Sequence, residues 1–370
     1  MAGSVYSALA HRLASHEGET YPFHVGDTWL LPAEGCRMED LRTSEIPRLH
    51  NYASVQGRRE LISTISERAA ARTGLAVEPD EILVTAGATG GLAAVIGAIV
   101  APGDEVIILA PHWPLIAGIV NALHGHAVQV PFFGLADGPE TSVELVEAAR
   151  SPRTVALYLN TPNNPTGRTL PAAWIAALVE WARRHDLWVI ADEVYEDYVF
   201  SGEHTYARPM APERTFASYS FSKGFGMAGN RAGYVIGPVE AMAQVRKMST
   251  HTYYSAPTAS QVAAARVLAG PGEAWARAAC QAYAEVGRAA AARLGVAPPE
   301  GSTFLFVDVG ERLDERGLPG FLSDCVDQGV LAAPGPAFGP YPSHIRVCFT
   351  STPPDVTLRG MDRLAALLGR

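Results

Sequence analysis

Residues 81–110 read EILVTAGATGGLAAVIGAIVAPGDEVIILA, and this stretch decides the fold. Glu81–Ala86 is a short apolar run carrying Ile, Val and Thr, the composition of a strand. Thr89–Ala101 stays apolar for longer than a strand usually runs, so it reads as a buried helix, closed by Pro102-Gly103. Glu105–Ala110 is a second strand-length apolar run. Strand, helix, strand, with neither strand alternating polar and apolar, describes parallel strands covered on both faces.

The alternation continues outward. Downstream the pattern predicts a helix at Leu115–Leu123, a strand at Ala127–Phe132 and a helix at Val143–Ala149 with Ser142 as its N-cap. It then predicts a strand at Thr154–Asn160, a helix at Pro171–His185, and strands at Leu187–Asp192, Phe216–Phe221 and Ala232–Gly237. Upstream, Leu61, Ile62, Ile65 and Ala69 recur at helical spacing and Gly74 stops the run. Residues 1–45 read as irregular, apart from a short helix at Ser4–Ser15 and a strand or extended piece at Phe23–Pro32 that turns at Gly26. No element is assigned between 238 and 271. Gly272–Leu294 is one long Ala-rich helix. Beyond it the reading expects strands at Thr303–Val309, Val330–Ala333 and Ile345–Phe349, with helices at Phe321–Gln328 and Pro354–Leu368. The expected fold class is therefore α/β: a large domain over 46–270 with a mostly parallel seven-stranded sheet between helices. A smaller α+β domain would join 1–45 to 271–370.

Bulk properties narrow the function. The chain has 370 residues, enough for more than one core. Hydrophobic residues make up 48% and charged residues 18%, the balance of a well-buried enzyme rather than a disordered chain. The net charge is -9 with no basic cluster, which argues against nucleic acid as a partner. Cys36, Cys280, Cys325 and Cys348 are widely spaced and offer no metal-site pattern. No stretch is apolar for long enough to span a membrane, and residues 1–19 lack the apolar core of a secretory signal. The expected location is the cytoplasm.

In open α/β sheets, ligands gather past the carboxyl ends of the strands. Five such places carry chemistry. GATGG, residues 87–91, opens a helix with small residues, so Ala88 and Thr89 offer N–H groups to a phosphate; alone it is equally a tight turn. Trp113 follows the second strand and is placed to stack on a flat ring or to pack in the core. NTPNNPTG, residues 160–167, is a rigid loop in which Asn164 presents an amide, or merely shapes a turn. Asp192, in ADEVY, is a carboxylate at the buried end of an apolar strand, costly unless paired. A cationic ring nitrogen would pair it; a structural ion pair is the ordinary alternative. At roughly 4 Å and an effective dielectric near 20, such a pair is worth about 4 kcal/mol before desolvation. Arg346, in HIRVCF, is suited to clamp a carboxylate bidentately or to lie on a surface strand.

A sixth place is SYSFSKGFGMAGNRAGY, residues 218–234. The chain has only two lysines, Lys223 and Lys247, and one stands here in a glycine-rich turn. Lys can lose its proton and form a Schiff base with a carbonyl; Arg cannot. Taken together, the strand ends describe one ligand with a phosphate, a flat ring, a basic ring nitrogen, a ring oxygen and an aldehyde. Pyridoxal 5′-phosphate has all of these.

These motifs resemble the class I/II aminotransferase family, the fold-type I pyridoxal-phosphate enzymes, from about Phe23 to the last helix. TAGATGG, NYASVQGRREL and PGPAFGPYPSHIRVCF support the same resemblance. It implies that Lys223 forms the Schiff base and later moves the substrate proton. It implies that Asp192 pairs with the ring nitrogen, that Tyr195 and Asn164 hydrogen-bond the ring oxygen, and that Trp113 stacks on the ring. The phosphate would be held by Ala88, Thr89, Ser220, Ser222 and Arg231. Arg346 would bind the substrate α-carboxylate, with Asn164 and Gly26. Tyr52 would reach the neighbouring subunit's site in a homodimer with shared active sites. The implied reaction moves an amino group between an α-amino acid and a 2-oxo acid. Asn230, Gly90, His112 and the segment GDTWLLP depart from the family's usual residues, so a lyase or a decarboxylating or oxidative reaction on the same cofactor is the rival. A regulator built on this fold lacks support from a basic helix-turn-helix segment, and a nicotinamide reductase lacks its glycine fingerprint.

Overall fold

The computed structural model describes residues 7–370. The chain begins with helix α1 (Ser7–Ala14), followed by irregular backbone to α2 (Arg59–Thr73), which ends on Gly74 in the left-handed region at φ 71°. Strand β1 (Ile82–Thr85) leads into α3 (Gly87–Ile99), and β2 (Glu105–Ala110) into α4 (Pro114–Ala122). Then come β3 (His126–Pro131), α5 (Pro139–Ala149), β4 (Thr154–Asn160), α6 (Ala172–Arg184) and β5 (Trp188–Asp192). Strand β6 (Thr215–Ser220) runs directly into the single turn α7 (Phe221–Gly224), and β7 (Gly233–Ile236) closes the series.

Helices α8 (Val239–Thr252), α9 (Thr258–Ala269) and α10 (Gly272–Arg293) follow. The smaller unit is built from β8 (Phe304–Asp308), α11 (Gly317–Asp327), β9 (Ala333–Pro334), β10 (His344–Cys348) and α12 (Pro354–Leu367).

The main sheet has the order β1-β7-β6-β5-β4-β2-β3. All pairs are parallel except those of β7, which is antiparallel to both β6 and β1. Leu83, Val106, Ile108, Tyr158, Ile190, Phe216 and Val235 point to one face, where they pack with α3, α4 and α8. Alternate residues point to the other face, against α5 and α6 or against α2 and α9. Because side chains alternate along a strand, the first row continues into Thr85, Asn160, Asp192 and Ser218. The registers Asn160↔Asp192 and Asp192↔Ser218 set three of these polar groups at one level. The apolar row fills the core; its last members face the strand ends.

The small sheet has the order β8-β10-β9 and packs with α10, α11 and α12. Tyr21 and Phe23 are buried in that same core, and Tyr21 bridges Val330. Residues 23–32 form no strand, which removes the strand alternative expected there. They are held instead by single bonds: Trp29 N–H donates to Thr350 O (3.0 Å) and Cys348 N–H to Phe23 O (2.8 Å). Ser142 does not cap α5. The helix starts at Pro139 with Gly138 as N-cap, and the Ser142 hydroxyl inside it donates to Gly138 O at 2.7 Å. Proline at the first helical position needs no N–H partner, which explains the earlier start. Two helices, α8 and α9, occupy the span to which the pattern assigned nothing.

Candidate active site

At the carboxyl ends of the strands lies a cavity of about 300 Å³. Every site residue expected from the sequence lines it except Tyr52.

The start of α3 forms one wall, with Ala88 and Thr89 on the cavity. Gly87 has φ +71°, and a Cβ there would lie 2.5 Å from Arg231 Nη2. A side chain is excluded both by backbone conformation and by the guanidinium lying over the helix start. Arg231 arrives because β7 runs antiparallel to β1, so the residues just before β7 meet those just after β1. Its Nη1 donates to Ala228 O (2.9 Å) and Ser222 Oγ (3.4 Å). Ser220 Oγ caps α7 by accepting from Ser222 N–H (3.0 Å). Helix N–H groups, two hydroxyls and a guanidinium converge there, the donor set of a phosphate site.

Asp192 is 3% exposed. Its Oδ2 accepts from Tyr158 Oη at 2.5 Å, and its Oδ1 has no hydrogen-bond partner among the described residues. Burial pushes its pKa up to about 6, against the lowering effect of the Tyr158 hydroxyl. A buried carboxylate oxygen left open toward a cavity fits a cationic ring nitrogen. Behind it, Asn160 Nδ2 donates to Asp192 O (2.9 Å) and Asn160 Oδ1 accepts from Asn164 N–H (2.8 Å), which fixes the asparagine loop to the strand. Trp113, at the N-cap of α4, and Tyr195, 2% exposed, complete this part of the lining.

Lys223 sits on α7. Its Nζ donates to Gly26 O, and its own carbonyl accepts from Tyr198 Oη. Burial lowers the Lys223 pKa below that of a free lysine, which favours the neutral, nucleophilic amine. Arg346 is 7% exposed, on β10. Its Nη1 donates to Asn164 Oδ1 (3.0 Å) and its Nη2 to His24 O (2.6 Å), while the guanidinium lies 4.2 Å from the Phe304 ring centroid. The small unit thus delivers a cation to the asparagine loop of the large sheet.

Tyr52 lies outside the cavity. It is 86% exposed and packs edge-on against Tyr254, centroids 5.3 Å apart.

Sequence reasoning missed Tyr158 and Phe304. Tyr158 had a signal: in TVALYLN it stands two residues before Asn160, on the same strand face, as the one polar ring in an apolar run. Phe304 had none, because one aromatic on a strand looks like core until Arg346 is seen against it.

The fold and the arrangement define a pyridoxal-phosphate enzyme of fold type I: a phosphate cradle, an open buried carboxylate and an isolated lysine in one cavity at the sheet's carboxyl edge. Residues 25–364 match the family model for aminotransferase class I and II, and the chain belongs to that family. The arginine–pyruvate transaminase of Pseudomonas aeruginosa is 36% identical over 306 residues, 80% of this chain and 77% of the relative. The aspartate/prephenate aminotransferase of Thermus thermophilus is 31% identical, over 86% of this chain and 83% of that one. Among solved structures, a Thermus thermophilus aspartate aminotransferase double mutant superposes with a TM-score of 0.90 at 28% identity, covering 99% of this chain and 97% of the other. The chain is a pyridoxal-phosphate-dependent aminotransferase, and transamination is supported over the lyase reading.

Proposed function

We propose that Lys223, Asp192 and Tyr195 carry out the reaction and that Arg346 selects α-carboxylates, in a homodimer whose sites are shared through Tyr52. The observation that carries this reading is the convergence of the Lys223 amine and the open Asp192 Oδ1 on one cavity. When bound, the cofactor supplies an electron sink for the carbanion left by loss of the α-proton. Asp192 holds the proton on the ring nitrogen. Tyr195 and Asn164 hydrogen-bond the ring oxygen, and Trp113 packs on the ring. Ala88, Thr89, Ser220, Ser222 and Arg231 bind the phosphate. The buried Lys223 amine would take the α-proton at Nζ and deliver it to a different carbon from the one it left, as transfer of the amino group requires. Arg346, with Asn164 and Gly26, orients the amino acid by its carboxylate.

The remaining parts of the reading are proposals of the same kind. The division we propose is 46–270 for the large unit and 1–45 with 271–370 for the small one; the burial of Tyr21 and Phe23 among α10–α12 supports it, whereas Ala33 and Cys36 pack with α2 and α9 in the core of the large unit. The enzyme works in the cytoplasm, supported by four cysteines present as free thiols. The relatives act, by name, on arginine, on aspartate and prephenate, and on methionine, so the amino donor is sought among these first. An amine-donor screen that follows the yellow absorbance of the holoenzyme tests the whole reading. True donors bleach it and a 2-oxo acid restores it. In Lys223→Ala the lysine-bound absorbance is absent and turnover is lost; full turnover in that variant would overturn the assignment.

A further inference from the structure

Helix α2 carries two arginines one turn apart, Arg68 and Arg72, and the segment after β5 carries two adjacent carboxylates, Glu196 and Asp197. They meet in one cluster. Arg68 Nη2 donates to both Asp197 oxygens, Oδ1 at 2.9 Å and Oδ2 at 3.0 Å, and Arg72 Nη2 donates to Oδ1 at 2.7 Å. Glu196 pairs with Arg72 Nη1 at 3.0 Å and accepts from the Tyr206 hydroxyl at 2.7 Å. The Arg68 and Asp197 side chains are only 8% and 6% exposed, so neither charge is left to water. Glu273, half exposed at the start of α10, closes the outer side by accepting from both arginines.

Three contacts from this side fall on consecutive residues of the lysine turn. Tyr198 Oη donates to the Lys223 carbonyl. Asp197 Oδ2 fills the space beside Gly224, where a Cβ would collide with it. The Arg68 guanidinium lies over the Phe225 ring, 5.2 Å from its centroid. Gly224 is not in the left-handed region, so its backbone does not call for glycine; the carboxylate does. A cluster that only tied α2 to α10 would need nothing at α7. A buried carboxylate holds such a place only while it is paired, and the two guanidiniums pair it. The segment 192–198 therefore works in two directions. Asp192 and Tyr195 face the cavity, while Asp197 and Tyr198 reach behind the lysine.

We propose that Asp197, pinned by Arg68 and Arg72, is a positioning residue: its carboxylate against Gly224 fixes the lysine turn relative to Asp192 and Tyr195, the side chains of its own segment that face the cavity. This rests on the reading of Lys223 as the cofactor lysine. It gives the ion cluster a role at the lysine beyond that of joining two helices.

The test uses the holoenzymes of Gly224→Ala, Asp197→Asn, Asp197→Ala, the double variant Asp197→Ala/Gly224→Ala, and Glu273→Gln. Gly224→Ala keeps every charge but pushes Asp197 and the lysine turn apart. It lowers kcat roughly tenfold with KM for the amino acid within about twofold, because the lysine rather than the substrate is misplaced. Asp197→Asn, which keeps the size but not the charge, shows the same split. In both, the pH midpoint of the lysine–cofactor absorbance moves, a change that a general loss of stability does not produce. Removing the carboxylate removes the collision, so the double variant is no slower than Asp197→Ala alone, whereas independent effects would multiply. Glu273→Gln, at the outer end of the cluster, keeps the wild-type kcat and midpoint. An unmoved midpoint in Gly224→Ala or Asp197→Asn, multiplying losses, or a midpoint moved as far by Glu273→Gln would each overturn the proposal. If the Asp197 variants fail to fold, Gly224→Ala beside Glu273→Gln decides it by the same kcat and midpoint. Should Lys223→Ala keep the lysine-bound absorbance, the reading of the site itself fails, a result separate from failure of the Asp197 proposal.

Discussion

Asp192 is the residue whose chemistry depends most on what it faces. Its pKa in the cofactor-free protein stands at about 6 because burial penalises the charged form. The folded state then binds this proton more tightly than the unfolded chain, whose carboxyl titrates near 4. Stability from this group is present at low pH, falls between about pH 4 and about pH 6, and stays reduced above. Asp192→Asn should therefore stabilise the cofactor-free protein at pH 8 by up to about 3 kcal/mol, raising its melting temperature, and do nothing near pH 4. The same variant should lose most of its transaminase rate. Thermal unfolding at the two pH values, beside turnover, checks both; equal effects at the two pH values would mean that the carboxylate is already compensated. Much of this scale was legible in the sequence. Asp192 and Asn164 stand out as polar groups at or just past the ends of apolar strands, Arg346 as a charge within a short apolar strand, and Lys223 as one of two lysines, set in a glycine-rich turn. Tyr158 and Phe304 were hidden, because their roles exist only in contacts between strands or between the two sheets.

At the scale of elements, the phosphate cradle depends on the turn from β1 into α3. Gly87→Ala meets two penalties together: a left-handed φ of +71° and a Cβ 2.5 Å from the Arg231 guanidinium. The backbone cost alone is roughly 1–2 kcal/mol. Because Arg231 must move, cofactor affinity should fall by about tenfold or more while the melting temperature drops only a few degrees. Titrating the cofactor into the stripped variant measures this; unchanged affinity would mean that Arg231 has room to shift. The β-strands were legible to about a residue at each end, since strand-length apolar runs bounded by turn residues have few readings; the exception is β9, expected over Val330–Ala333 and found only at Ala333–Pro334. Helix α8 also had a signal, with Met242, Val245 and Ser249 buried at helical spacing. Helix α9 buries Ser260, Gln261, Ala263 and Ala264 beside Val262 and Val267, so small and polar residues blur the apolar stripe. Residues 23–32 read as a strand or extended piece on their Phe, Val, Trp and Leu residues, but only Phe23 is buried, and the segment is held by single hydrogen bonds rather than paired.

For the molecule as a whole, the open question of assembly turns on Tyr52. Tyr52 is 86% exposed, stacks edge-on against Tyr254 and takes no part in its own cavity. If it completes the neighbour's site, two inactive variants should rescue each other. Mixing Tyr52→Ala with Lys223→Ala, with exchange of subunits, gives hybrid dimers in which one site has both residues and the other has neither. With random exchange, activity should reach about a quarter of the wild type. Mixtures no more active than the average of their parts would place Tyr52 outside any shared site.

The reversed strand β7 has one more consequence, for the order of events on the ribosome. Ile82 pairs with Ile236, and β1 has no other neighbour in the sheet. At about 5–20 residues per second, β1 waits on the order of ten seconds or more for its partner to be synthesised. Until then the start of α3 has no Arg231 beside it. The enzyme's capacity to capture its cofactor thus appears late and all at once, when the last strand of the main sheet arrives.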